Sequence, residues 1–305
     1  MKKVLIIYNP VAGKDSTRPS PMAIERSFPP KEYEVTLYQS TGTGDAVNAA
    51  KDKAADYDFV VACGGDGTLN EVVSGISKAG LDIPVGYIPM GSTNDFANTL
   101  GIPPYYYDAV KTIMEGHTNE YDIGQFNDRY FNYVACFGPG SSISYATNQK
   151  MKNKLGYSAY LINGFVFQSI PLLMQLKPKK VRVEYDGKVF EGGAHYGAIS
   201  NSTSVAGLFK FEGQKIVLND GKFELLIVKN FKALQAIPLL INVLKGNYED
   251  DNLIFVKADN IKITFLEKPE EWTLDGEYGG NPKEIEFSVK KKAIKIYSPV
   301  NPLFE

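Results

Sequence analysis

The stretch Phe59-Val60-Val61-Ala62-Cys63-Gly64-Gly65-Asp66-Gly67-Thr68-Leu69-Asn70-Glu71 runs from compact apolar residues, through three glycines in four positions, into an amphipathic segment. The apolar run ending at a glycine pair reads as a buried strand. From Thr68 onward, Leu69, Val72, Val73 and Ile76 fall at i, i+3, i+4 and i+7 and predict a helix with one apolar face. Strand, glycine turn and helix start together form an anion site. The glycines bring backbone N–H groups close to a phosphate, and the helix dipole adds partial positive charge. Thr68 can donate its hydroxyl to the same phosphate. Asp66 inside such a loop implies a cation between carboxylate and phosphate. The loop is not a Walker A, because Gly13-Lys14 is followed by Asp15 and lacks the upstream glycine, and Glu71 breaks a Gly-x-Gly-x-x-Gly pattern.

Outward from this loop, Val4 to Tyr8, Val35 to Tyr38 and Pro84 to Ile88 read as further buried strands separated by helical stretches. That rhythm predicts an N-terminal three-layer α/β domain with a mainly parallel sheet, over residues 1–125. A second turn, Pro89-Met90-Gly91-Ser92-Thr93-Asn94-Asp95-Phe96-Ala97, offers Ser92 or Asn94 as an N-cap, and its short helix stops at Leu100-Gly101-Ile102-Pro103. Two adjacent βα turns therefore face the carboxyl edge of the sheet, where ligands bind in open α/β folds. From residue 126 the texture is extended: Tyr130 to Ala135, Val181 to Tyr185, His195 to Ile199, Phe223 to Val228, Ile261 to Phe265, Ile285 to Val289 and Ala293 to Tyr297. These predict a C-terminal β-sandwich domain. Two apolar helical stretches interrupt it, Tyr157 to Leu176 and Ala233 to Leu244. The first contains Asn163, Gly164, Gln168 and Pro171, which suit a buried or cleft-lining helix better than a membrane span.

Length and composition narrow the function. At 305 residues, two domains sharing a cleft are the natural expectation. A net charge of −2 lacks the excess of Lys and Arg that a nucleic-acid-binding protein needs. The two cysteines, Cys63 and Cys136, lie in apolar surroundings and read as free buried thiols, and the short apolar run after Met1 stops at Asn9-Pro10. Together these predict a cytoplasmic protein. With only His117 and His195, a zinc site is not expected.

Five motifs in order, Asn9-Pro10-Val11-Ala12-Gly13-Lys14, Gly64 to Glu71, Pro89 to Phe96, Tyr121-Asp122-Ile123-Gly124 and Leu274-Asp275-Gly276-Glu277-Tyr278-Gly279-Gly280, resemble the diacylglycerol kinase superfamily. That superfamily also holds sphingosine kinases and, more distantly, NAD kinases, and the last two motifs point to its soluble bacterial lipid kinases. The resemblance implies an ATP cleft between the α/β domain and a lipid-substrate domain over residues 126–290, with residues 291–305 returning to the first domain. It implies nucleotide contacts from Asn9, Pro10, Val11, Ala12, Gly13, Ser40 or Thr41, Gly64, Gly65, Asp66, Gly67, Thr68, Leu69, Asn70, Glu71 and Ser92. It further implies a magnesium–water network at Asp66, Asp95 and Asp122, and a structural Mg2+ held by the Asp220 side chain and the carbonyls of Val217 and Lys222. The Gly-Gly and Pro-x-Ala pattern that precedes this Asp in the family is missing from Leu208 to Ile216.

Phosphoryl transfer to an alcohol needs a carboxylate to accept the hydroxyl proton, and Asp275-Gly276-Glu277 supplies two candidate bases. In an extended segment residues two apart share a face, so both would reach the cleft; an Asp-Gly hairpin turn is the other reading. Which of the two is the base stays open. The resemblance implies ATP-dependent phosphorylation of diacylglycerol to phosphatidic acid. Another lipid alcohol, NAD, or a regulatory nucleotide-binding protein without catalysis are the other readings. An insoluble acceptor requires transient peripheral contact with the inner face of the membrane, and Lys150, Lys152, Lys154, Lys177, Lys179 and Lys180 bracket an apolar stretch suited to it. The sequence leaves a homodimer open.

Overall fold

The computed structural model describes residues 1–13, 18–91, 94–138, 177–205, 209–210, 216–300 and 303–304. Its first half is a parallel ladder in the order β2-β1-β3-β4, formed by β1 (Lys2–Tyr8), β2 (Tyr33–Gln39), β3 (Phe59–Gly64) and β4 (Val85–Pro89). Every residue of β3 is buried, as expected of a strand covered on both faces. Around the ladder lie α1 (Pro21–Arg26), α2 (Asp45–Lys53), α3 (Asp66–Ala79), α4 (Asp95–Leu100) and α5 (Tyr106–Glu115). α3 starts two residues before Thr68, with Gly65 extended as its N-cap and Gly80 left-handed as its C-cap. Gly75 sets its distance from α2, because a Cβ there would stand 2.4 Å from the Val47 carbonyl oxygen.

The second half is antiparallel. In one layer, β6 (Arg129–Phe131), β5 (Thr118–Phe126), β17 (Glu284–Tyr297), β14 (Asn260–Phe265) and β8 (Lys179–Tyr185) lie side by side and end on the first half of β9 (Lys188–Ser200). The second half of β9 belongs to the other layer, between β7 (Val134–Phe137) and β12 (Phe223–Lys229), with β15 (Trp272–Leu274), β16 (Glu277–Gly280) and β13 (Leu253–Ala258) beyond them. Aromatic rings fill the space between the layers: Phe131 meets Phe223 at 5.6 Å, Phe137 meets Phe265 at 5.0 Å, and Phe126 meets Trp272 at 5.0 Å. A short ladder of β10 (Ser204–Val205) and β11 (Phe209–Lys210) stands apart. A 3-10 turn at Ala233–Gln235 leads into α6 (Ala236–Leu244).

Three expectations change. Tyr130 to Ala135 is not one strand but β6 and β7, broken at Asn132 and Tyr133, whose N–H groups donate to the Asp275 carboxylate instead of to a ladder. Ile285 to Val289 and Ala293 to Tyr297 are one strand, β17, with a register shift between Lys290 and Ile294 and Lys292 at φ 50°. Its end, at Ile296, pairs in parallel with Val85 of β4, so this single strand joins the antiparallel half to the parallel one. β5, β13, β15 and β16 were not expected as strands. The stretch Tyr157 to Leu176 lies outside the described residues, and among those no helix is long and apolar enough to cross a membrane.

Candidate active site

Three loops meet at the carboxyl edge of the parallel ladder. After β1, Asn9 donates its side-chain amide to the Thr68 hydroxyl at 2.9 Å and accepts the Val11 N–H at 3.0 Å. Gly13 has φ +69°, and a Cβ there would stand 2.0 Å from the Met90 carbonyl oxygen, so this loop presses on the turn after β4. Met90 in turn donates to the Gly64 carbonyl at 2.7 Å. The turns after β3 and β4 touch glycine to glycine: a Cβ on Gly91 would lie 2.7 Å from the Gly65 Cα. Arg18, which no sequence motif singled out, braces the first loop by donating to the Ala12 and Pro10 carbonyls. α3 starts at this junction, where the Gly65 carbonyl accepts the N–H groups of Thr68 at 3.0 Å and Leu69 at 3.2 Å, and the N–H groups of Asp66 and Gly67 precede the first turn of the helix ladder.

Asp66 sits where the two turns meet, 8% exposed. It accepts the N–H groups of Asp95 at 2.9 Å and Phe96 at 3.3 Å and the Tyr87 hydroxyl at 3.3 Å, and so caps α4. Burial first, then the like charge of Asp95, push its carboxyl up to about 6. Asp275 approaches from the antiparallel half. It and Gly276 have φ of 48° and 85° between β15 and β16, so the segment is a two-residue hairpin turn and not extended. The shared-face geometry expected for Asp275 and Glu277 therefore does not arise. The Asp275 side chain folds inward, 3% exposed, and accepts N–H groups from Asn132 at 2.6 Å and from Tyr133 and Val134 at 3.0 Å. Burial pushes its carboxyl up to about 7, the three N–H groups pull it down, and the Asp66 charge adds to the rise. Exposed Glu277 instead reaches Gly67, where a Cβ would lie 3.3 Å from its Oε1.

Asp66, Asp95 and Asp275 are thus brought together: the charges of all three act on the Tyr133 hydroxyl, whose ring stacks on Phe96 at 5.8 Å. Asp122 is not among them. Neighbouring residues of a strand face opposite sides. Tyr121 of β5 turns to Phe96 and Asn132, whereas Asp122 turns away and accepts the N–H groups of Gly221 and Lys292, both at 2.6 Å. Several other expected nucleotide residues hold the frame. Glu71 accepts the Gly44 and Ala46 N–H groups at 2.8 and 3.2 Å and so caps α2, while Thr41 donates to Asp45 and Ser40 to the Tyr8 carbonyl. Leu69 is core, Asn70 accepts from Ser74, and Ser92 lies outside the described residues. Asn132 and Tyr133 had no sequence signal, because their place depends on a hairpin more than 140 residues away closing over them.

Among the described residues no group of three or more His, Cys, Asp or Glu is disposed to hold a metal. At the expected structural Mg2+ site, Asp220 Oδ2 accepts the Lys257 ammonium at 2.8 Å and Oδ1 accepts the Lys222 N–H at 2.9 Å. Buried Glu224 lies 3.6 Å from the same ammonium. The residues present do not fit a resident ion: lysine already supplies the positive charge. Two outcomes follow for the nucleotide-free protein. Thermal melts in EDTA and in excess Mg2+ coincide, and Lys257→Met destabilises by about 1–3 kcal/mol because Glu224 and Asp220 lose their cation. A melting temperature that Mg2+ raises in the wild type but not in Asp220→Asn would show a resident metal instead.

Glycine turns over a helix N-terminus, with a buried carboxylate of raised pKa at their rim, are what a phosphotransferase requires: a seat for phosphate and a group to take a proton. Residues 3–126 match the diacylglycerol kinase catalytic domain. The chain is 37% identical over 283 residues to the diacylglycerol kinase of Bacillus subtilis (strain 168), covering 92% of this chain and 91% of that protein. It is 36% identical over 301 residues to the diacylglycerol kinase of Staphylococcus aureus (strain MRSA252), with 98% and 93% covered. A crystal structure of a diacylglycerol kinase from Bacillus anthracis str. Sterne superposes with a TM-score of 0.72 at 23% identity, over 99% of this chain and 97% of that one. Yeast NADH kinase complexed with NADH shares the fold more distantly, with a TM-score of 0.52 at 12% identity over 99% and 85%. This chain belongs to the diacylglycerol kinase family.

Proposed function

We propose that the chain transfers the γ-phosphoryl group of ATP to the free hydroxyl of a diacylglycerol, giving phosphatidic acid and ADP. The observation that carries this reading is the position of Asp275, a buried carboxylate fixed by three N–H groups at the rim of the glycine turns. The phosphates rest on the N–H groups of Gly65, Asp66 and Gly67 and on the Thr68 hydroxyl, which Asn9 orients as an acceptor so that its proton points to the ligand. Asp275 takes the proton of the attacking hydroxyl. Its Oδ1 carries two N–H bonds and its Oδ2 one, which leaves a lone pair on Oδ2 open. Glu277, at the mouth of the turn by Gly67, positions the nucleotide. Asp66 and Asp95, hard oxygen donors whose carboxyls are both raised by burial, would hold the magnesium that accompanies ATP. That ion supplies charge neutralisation to the transferring phosphoryl group.

The working division is residues 1–125, 126–290 and 291–305, although its two boundaries cut β5 and β17. Because the acceptor resides in a bilayer, the enzyme works in transient contact with the inner face of the membrane. The reading is tested with γ-labelled ATP against a panel of lipid alcohols in mixed micelles, with NAD as a further acceptor. Transfer to diacylglycerol at a rate well above sphingoid base, polyprenol and NAD supports it; preferred transfer to any of those three refutes the acceptor assignment.

A further inference from the structure

The segment from Lys229 to Tyr248 carries three lysines and no acidic residue, and its helix, α6, is apolar nearly all round. One stripe of it is core: Ala236, Leu239 and Val243 are buried, the last two in one apolar cluster with Tyr196, Ala198 and Leu226 of β9 and β12. The other stripe is exposed among the described residues. Leu234 is 92% exposed, Ile237 51% and Ile241 45%, at the i, i+3, i+7 spacing that keeps them on one side. Soluble surfaces rarely align three large aliphatic side chains in this way without a partner. Exposed Lys232 and Lys245 stand at the two ends of the stripe. A further cation comes from the neighbouring strand end, since Ala194 of β9 pairs with Lys229 on one side and Lys179 on the other, which brings exposed Lys177 to the same end. The acids that follow, Glu249 to Asp251, begin beyond the helix, and Asp250 is engaged by Asn242 and Asn252.

We propose that this stripe of α6, Leu234, Ile237 and Ile241 with Lys232 and Lys245 at its ends, is the face that enters an anionic bilayer surface. The proposal rests on the diacylglycerol reading, because an acceptor confined to a bilayer obliges the enzyme to touch one. A short helix lying in the interface, aliphatic below and cationic at its margins, is the form such contacts take. The expected landing face of six lysines is weaker. Lys150, Lys152 and Lys154 lie outside the described residues, and Lys179 and Lys180 pair with Glu270 at 2.5 Å and Glu267 at 2.9 Å.

The test compares the full-length wild type with a triple variant, Leu234→Ser, Ile237→Ser and Ile241→Ser, on vesicles of phosphatidylglycerol and phosphatidylcholine. All three side chains are exposed, so circular dichroism and the melting temperature are expected to match. The proposal requires vesicle co-sedimentation, and turnover of long-chain diacylglycerol in those vesicles, to fall by ~10-fold or more. Turnover of a water-dispersed short-chain diacylglycerol stays at the wild-type level. Lys232→Gln with Lys245→Gln weakens binding to the anionic vesicles and not to pure phosphatidylcholine. Undiminished co-sedimentation of the triple variant overturns the proposal, as does a loss of dimerisation with vesicle binding intact, which would assign the stripe to a second copy of this chain. A wild type that binds vesicles through α6 yet phosphorylates neither diacylglycerol refutes the kinase reading and leaves this surface standing.

Discussion

Asp275→Asn is expected to lower kcat by roughly 10²–10⁴ while the affinity for ATP changes only a few-fold. Its hydrogen-bond partners are the N–H groups of Asn132, Tyr133 and Val134, not those of the glycine turn proposed to seat the triphosphate. Asparagine fills the same volume but cannot accept a proton, and its NH2 group meets a backbone donor, so some loss of melting temperature accompanies the loss of rate. Equilibrium ATP binding separates the two effects. A variant that still binds ATP and turns over within tenfold of wild type sinks the assignment of the base. Glu277→Gln, by comparison, acts mainly on KM for ATP.

The pH dependence carries a second sign of the same group. A base is active when ionised, and the Asp275 carboxyl is pushed up to about 7. The logarithm of kcat/KM for wild type therefore rises with pH and levels off near neutrality, the apparent value belonging to the coupled Asp66 and Asp275 carboxyls. Stability runs the other way. Because both folded pKa values stand above the unfolded one of 3.8, the folded state holds extra protons between about pH 4 and 7. Their stabilising contribution is complete below pH 4 and is lost as pH climbs through about 6 to 7, opposite to an ordinary salt-bridged aspartate. Magnesium nucleotide shifts the profile to lower pH by favouring the ionised forms.

Gly91→Val is the change expected to abolish nucleotide binding most completely. Any Cβ at residue 91 falls 2.7 Å from both the Gly65 Cα and the Asn94 Oδ1. One of these is backbone, so the two turns must separate instead of a side chain rotating aside. The N–H groups of Gly65 and Gly67 then leave the positions from which they are proposed to meet phosphate, and a loss of at least about 10²-fold in kcat/KM for ATP is expected. Because core residues Met90 and Phe96 flank this turn, circular dichroism checks that the chain still folds. Titration calorimetry with Mg·ATP reads the loss directly; wild-type affinity in Gly91→Val would mean that the glycine contact has no part in the site.

Much of the fold was legible because the parallel half obeys local rules. β3 is apolar throughout, its glycines follow at once, and the apolar period of Leu69, Val72, Val73 and Ile76 is that of α3. The antiparallel half was legible only in outline. β5 reads as polar and mixed because one of its faces serves Tyr121 and the other Asp122, and β17 hides its continuity behind Lys290-Lys291-Lys292, where the bulge lies. The Asp-Gly turn was visible as an alternative, but nothing local chose between turn and extended strand.

Sequence alone determined the glycine turn that is proposed to seat phosphate. Its residues are contiguous, and the physics of glycine, dipole and N–H acts over one turn of chain. Tertiary structure decided which carboxylates share the site. Strand alternation turns Asp122 away to Gly221 and Lys292, the hairpin carries Asp275 in to meet Asp66, and a lysine from β13 takes the place beside Asp220 where an ion was expected. Those choices rest on register and side-chain direction between segments 37 to 170 residues apart, or on opposite faces of one strand. Residue identity and spacing do not encode them until the two halves close on each other.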